Sequence, residues 1–304
     1  MINKIAVLGL GAVSFVSSQA TAQLKVVATT PDLASVAREI GGDKVNVVAL
    51  AKPTEDPHFV DAKPSFIVTL NRADALIEGG AELELGWLPP LLENSRNSKI
   101  ASGAPGRIVA SEGIRLLEIP TSFDRSKGDI HSLGNPHFMI DPVAAKVVAV
   151  NIARHFDQLD PKNAATYNAN LARFNSRLDS KLAGWQRSLA PYRGAKIVSY
   201  HRDFIYFAQR FGLTIVDELE PKPGIAPSPA HLAQVIGEMK RDNVKIILVQ
   251  PFQNRKTAET VARQTGATVI DAPQQPGAAT NTASYFDNMD NLVRAIASAL
   301  GGGK

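Results

Sequence analysis

The feature that most constrains this chain is one unbroken apolar stripe between Pro161 and Leu189. Tyr167, Leu171, Phe174, Leu178, Leu182, Trp185 and Leu189 follow one another at spacings of 4, 3, 4, 4, 3 and 4 residues. That rhythm keeps all of them on one face of an α-helix. Asp160-Pro161 reads as an N-cap with proline at the first helical position, and Pro191 with Gly194 ends the run. At ~1.5 Å per residue, the roughly 29 residues from Pro161 to Leu189 make a rod about 43 Å long. Few core helices are that long. The spacing predicts a strut joining two bodies, one that resists wide hinge opening.

Each side of the strut carries the same pattern, short β-branched runs alternating with helical segments, which is the signature of a parallel-sheet α/β architecture. Before it the strand candidates are Leu24–Thr29, Val45–Leu50, Ala75–Glu78 and Arg107–Ala110. After it they are Ala195–Tyr200, Leu213–Glu218, Lys245–Gln250 and Ala267–Asp271. The expected fold is α/β with two similar lobes, each a four-stranded, mostly parallel sheet flanked by helices, joined by one long backbone helix. The corresponding division is an N-terminal lobe over residues 23–157, the backbone helix over 158–192 and a C-terminal lobe over 193–304.

Residues 1–22 belong to neither lobe. Lys4, the apolar stretch Ile5 to Val16 and the small residues Ala20-Thr21-Ala22 read as a secretory signal peptide, with cleavage expected after Ala22 and a periplasmic destination. A competing reading takes Gly9-Leu10-Gly11-Ala12-Val13-Ser14 as a dinucleotide-binding turn. It fails on the serine at the third glycine position and on the short distance to the next strand, which leaves no room for a crossover helix. No later run reaches the roughly 18 apolar residues a membrane span needs. The net charge of +4 is spread along the chain with no run of five like charges, so no nucleic-acid partner is expected. With no cysteines, disulfides, thiolate metal sites, thiol nucleophiles and a lipid-bearing cysteine are all excluded for this sequence.

The chemistry concentrates in the histidines. His155 closes a helical pattern that begins near Pro142, where an imidazole favours the helix dipole, and His231 follows Ser228-Pro229-Ala230 in the first turn of another helix. Both read as structural. His58, His137 and His201 instead sit in connections, two of them just after strands, where open α/β sheets gather ligands. Their separations of 79 and 64 residues match no zinc-finger spacing. On spacing alone a metal site and three unrelated loop histidines remain equally open.

The surrounding residues carry more. Glu55-Asp56-Pro57-His58-Phe59-Val60, Gly134-Asn135-Pro136-His137-Phe138-Met139-Ile140-Asp141-Pro142 and Tyr200-His201-Arg202-Asp203-Phe204 occur in that order. Leu219-Glu220-Pro221-Lys222-Pro223-Gly224-Ile225 and the helix Arg255-Lys256-Thr257-Ala258-Glu259 follow. In these blocks, across essentially the whole chain after Ala22, the protein resembles the periplasmic zinc- and manganese-binding receptors of ABC transporters, the cluster in which a single backbone helix joins two lobes. The resemblance implies a monomeric receptor, not an enzyme, that captures one divalent ion in the interlobe cleft and delivers it to an ABC permease. It also implies that His58, His137 and His201 are the ligands.

Three neutral imidazoles suit Zn2+, whereas calcium and magnesium want oxygen. Mn2+ tolerates mixed sites, and relatives that handle it carry more carboxylates. Zinc is therefore the expected cargo, with manganese as the alternative. The chain departs from the family in one place: Ala283 stands where members carry an Asp before the last helix. The fourth position stays open between water, Asp287, Glu218 and Glu220. His131 is expected to be exposed, with an auxiliary zinc contact as the lesser reading. The rival function is a secreted zinc-dependent hydrolase with an open three-histidine site, but the chain has no HExxH helix and no general base set beside a ligand. A surface adhesin of the same fold is disfavoured by the missing lipid-bearing cysteine, and a receptor for a non-metal solute by the single long helix in place of a multi-strand hinge.

Overall fold

A computed structural model describes residues 23–120, 131–222 and 224–302. The expected signal peptide lies outside the described residues. The N-terminal half runs β1 (Leu24–Ala28), α1 (Pro31–Gly41), β2 (Val45–Ala49), α2 (Pro64–Asn71), β3 (Ala75–Glu78), α3 (Leu88–Ser95), β4 (Arg107–Val109) and α4 (Pro142–Leu159). After α5 (Ala164–Leu189) come β5 (Lys196–Ser199), α6 (Ile205–Phe211), β6 (Thr214–Glu218), α7 (Pro229–Arg241), β7 (Ile246–Val249), α8 (Arg255–Thr265), β8 (Thr268–Asp271) and α9 (Tyr285–Leu300). All eight expected strands are present, most of them trimmed by a residue or two at an end.

The two sheets have the same order, β2-β1-β3-β4 and β6-β5-β7-β8, and every pairing between these strands is parallel. In each, the chain leaves the first strand to one side and returns to pair on its other side. The carboxyl ends of β1/β3 and β5/β7 are thus switch points, the place where open α/β sheets leave a crevice.

The long helix is α over 26 residues and starts at Ala164, three residues later than its sequence suggests. Asp160 is the reason. Its carboxylate accepts Asn163 Nδ2 (2.6 Å) and Tyr167 Oη (2.8 Å), and its carbonyl accepts Asn163 N (3.0 Å). Pro161–Asn163 therefore winds as a 3-10 turn. The stripe is buried as its spacing requires: Tyr167, Phe174, Leu178, Trp185 and Leu189 lie inside, and Leu171 and Leu182 pack against the same core. Asn170 Nδ2 reaches Ile40 O at the end of α1 (2.8 Å), while Trp185 Nε1 reaches Asp290 Oδ1 on α9 (2.8 Å). One helix thus grips both halves.

The halves share more than the strut. One apolar core runs from β1, β3 and α1 through α4 and α5 into α6, β7 and α9, with a smaller core on the outer face of each sheet. Polar bonds cross in the same region. Arg210 on α6 pairs with both oxygens of Asp141, the N-cap of α4, at 2.7 and 2.8 Å. Tyr206 Oη donates to Asn135 O (2.6 Å) and accepts from Leu117 N (2.9 Å). No helix among the described residues is long and apolar enough to cross a membrane.

Candidate metal centre

Each histidine of the expected trio is delivered by a loop that its own sequence stiffens. In the β2–α2 connection, the Asp56 carboxylate accepts both His58 N (3.0 Å) and His58 Nδ1 (2.8 Å), while Trp87 Nε1 holds Pro57 O (2.9 Å). Before α4, Gly134 turns at φ 115°, and a Cβ there would meet Leu117 O at 2.9 Å, so only glycine fits. Asn135 then does two jobs. Its Oδ1 accepts His137 N (2.9 Å), and its Nδ2 donates to Arg202 O (2.7 Å), tying the His137 loop to the His201 loop across the cleft. His201 follows β5 directly, and Glu220, just past β6, accepts its Nδ1 at 2.5 Å.

The three rings meet. Centroids lie 5.0 Å apart for His58–His137, 5.2 Å for His137–His201 and 5.6 Å for His58–His201. They line a cleft of about 290 Å³ with Asp56, Glu220 and Gln250. His137 is 8% exposed, and its Nε2 is buried without a hydrogen-bond partner. A polar atom left bare in the interior is costly unless something binds there.

His131 is a correction. It is half-buried, not exposed, and joins the cluster: its Nε2 lies 3.1 Å from His58 Nε2. Nitrogens of His58, His131 and His137 all fall within 4.8 Å of one another. The acids considered for the fourth position are occupied. Glu220 holds His201 and Gly224 N (3.0 Å), Asp287 closes the capping box of α9 with Ser284, and Glu218 faces Arg202 (3.7 Å). His155 and His231 are structural, bonded to Pro105 O (2.7 Å) and Glu218 O (2.9 Å).

Electrostatics separates the rings. Burial, reinforced by the neighbouring His58 and His201, pushes His131 down to about 3 and His137 well below the usual imidazole range. Burial also pulls His201 down, but its bond to Glu220 and the charges of Asp203, Glu220 and Asp56 outweigh that and raise it. Burial would lift Asp56, yet the His58 bond and charge bring it below its ordinary value. His131 and His137 thus offer neutral nitrogen lone pairs, while carboxylates back the rings of His58 and His201, an arrangement suited to a cation. With Nδ1 of His58 and of His201 facing a carboxylate, Nε2 is the free ligand atom, the arrangement that fixes tautomer and ring direction in metal sites.

Comparison with known proteins agrees with this chemistry. The family model for the periplasmic zinc-uptake complex component A, ZnuA, matches residues 26–299. The chain belongs to the ZnuA family. It is a periplasmic metal-binding substrate-binding protein of an ABC transporter and not an enzyme. The metal ABC transporter substrate-binding lipoprotein ScbA of Streptococcus cristatus is 24% identical over 309 residues, covering 97% of this chain and 96% of that protein. The manganese ABC transporter substrate-binding lipoprotein scaA of Streptococcus gordonii is 24% identical over 269 residues, covering 86% and 84%. A crystal structure of ZnuA superimposes with a TM-score of 0.77 at 26% identity, covering 91% of this chain and 99% of that one.

Some residues of the candidate centre carried little signal in the sequence. Asp56 and Asp203 each lie two residues from a histidine, a spacing common in loops. Asp56 proves to orient His58. Asp203 is fully buried behind His201, bonded to Gln250 and raised to about 6 by burial. His131 had only its six-residue distance from His137 to mark it.

Proposed function

We propose that the protein captures one zinc ion in the interlobe cleft, with His58, His137 and His201 as ligands, and delivers it in the periplasm to an ABC permease. Three imidazoles on one tetrahedral zinc, with bonds near 2.0–2.1 Å, put their ring centres about 5.2 Å apart. The trio stands at 5.0, 5.2 and 5.6 Å. That match, with the bare Nε2 of His137 inside the cleft, is the observation that carries the proposal.

The choice of zinc rests on the donor set. Among the described residues, Asp56 and Glu220 are the carboxylates lining the cleft, and each is bonded to a histidine, which leaves imidazole as the donor and favours zinc over manganese. A ZnuA deletion mutant described with zinc bound superimposes on this chain with a TM-score of 0.76 at 27% identity. Relatives named for manganese and for iron make the preference worth measuring directly. Titration against a chromophoric chelator, with Zn2+ and Mn2+ in competition, should give one ion per chain and zinc the tighter. The variant carrying alanine at 58, 137 and 201 should bind almost none; undiminished zinc binding by it would end the proposal.

A further inference from the structure

We propose that His131 supplies the fourth nitrogen to the same ion, closing the shell as four imidazoles with no carboxylate or water in it. This inference rests on the reading of His58, His137 and His201 as ligands and adds a position that the sequence blocks do not mark.

The geometry points to it from two sides. His58 faces Asp56 with Nδ1, so its Nε2 is the lone-pair atom, and it lies 3.1 Å from His131 Nε2. Two nitrogens on a tetrahedral zinc, with bonds of 2.0–2.1 Å, lie about 3.3 Å apart. His131 Nε2–H donates to His58 Nε2 across that distance. To ligate, His131 would take its other tautomer, with the proton on Nδ1, so that both Nε2 lone pairs turn to the ion. The His131 centroid stands 5.1 Å from that of His58, close to the separation within the trio, and 6.5 Å from that of His137. His131 is thus farther from His137 than the trio's rings are from one another and must move inward to ligate.

Its position is built. Ser132 donates to the Glu82 carboxylate from its backbone N and its Oγ (2.6 Å), fixing the residue next to His131 to the loop after β3. Gly134 N closes a turn onto His131 O (3.1 Å), and Asn135 N is held by Leu117 O (2.8 Å). The rival fourth donors are committed elsewhere, and Ala283 offers none. Four neutral imidazoles suit zinc and disfavour hard, oxygen-seeking Mn2+, so His131 acts on selectivity more than on binding as such.

The test is zinc K-edge X-ray absorption on the full-length protein loaded with one equivalent, together with chelator competition for Zn2+ and Mn2+ on the wild type, His131→Ala and the control His155→Ala. The expected result is four imidazole scatterers in the wild type and in His155→Ala. His131→Ala should show three plus one oxygen, with zinc affinity down roughly 10–100-fold, manganese affinity nearly unchanged and the same thermal midpoint without metal. Three imidazoles in the wild type would overturn the proposal, as would an unchanged zinc-to-manganese ratio in His131→Ala or a second zinc bound by His131 apart from the first. In each of those cases, loss of zinc in the triple alanine variant would leave the three-histidine reading standing. Zinc retained by the triple variant would sink that reading instead.

Discussion

At His58 a single carboxylate oxygen fixes both backbone and ring: Asp56 Oδ1 takes the amide at 3.0 Å and Nδ1 at 2.8 Å. Asn135 Oδ1 takes the backbone amide of His137, and its Nδ2 reaches across to Arg202 O. Removing the Asn135 side-chain amide should loosen two ligand loops while leaving every ligand in place. Asn135→Ala is expected to weaken zinc binding roughly 10–100-fold, as for other groups behind metal ligands; an unchanged dissociation constant would show that the loops hold themselves. Glu84, buried beneath the β3–α3 loop, accepts Thr29 Oγ1 (2.6 Å), Gly79 N (2.7 Å) and Gly80 N (3.2 Å). Burial raises it from 4.5 to about 7. Between those values the folded chain holds a proton that the unfolded chain has lost, so this residue's contribution to stability falls as pH rises through the window and is gone above about 7. The shift corresponds to about 3 kcal/mol. Urea unfolding at pH 5 and pH 8 should therefore show the wild type losing about 2–3 kcal/mol more than Glu84→Gln over that interval. Parallel losses would refute the assignment. Legibility at this scale was uneven. The Asp-Pro-His and Asn-Pro-His blocks pointed at His58 and His137, but the partners of His131 and Glu84 come from distant segments, Ser132 with Glu82 and Thr29 with Glu84, and no local spacing encodes them.

The elements were easier to read because their signals are local. Strand positions followed from β-branched runs bounded by turn residues, and the α5 stripe from a 3.6-residue period that survives seven apolar positions. The register shift between β5 and β6 near Ile197 and Val198, and the delayed start of α5, were not legible. The start of α5 depends on the Asp160 carboxylate, which is held by Asn163 Nδ2 and by the Tyr167 hydroxyl about two turns away. The middle of α5 is where the strut meets the C-terminal half: Phe174 stacks near Phe286 (5.2 Å), and the Arg177 guanidinium lies over the Phe286 ring at 4.0 Å. Phe174 is 2% exposed, so Phe174→Ala opens a cavity there. It should cost about 3–5 kcal/mol in chemical denaturation. A loss below about 1 kcal/mol would mean that α9 collapses onto the gap and that the strut is not rigid.

Over the whole molecule, the proposed ion site spans the two halves. His58 and His137 come from the N-terminal half and His201 from the C-terminal half, so an ion held by the proposed trio would bridge them. The halves are also joined by a common core, by the Arg210–Asp141 pair and by the Tyr206 hydroxyl. Wide opening would break all of these at once, so capture and release are expected to use small movements of the ligand loops. The most direct measurement is a crystal structure of the zinc-loaded protein with anomalous diffraction collected on both sides of the zinc edge. The expected result is one strong peak per chain about 2.0–2.1 Å from a ring nitrogen of each of His58, His137 and His201, with the two halves arranged as described above. A peak bonded to residues of one half alone, or two halves swung apart around it, would contradict it.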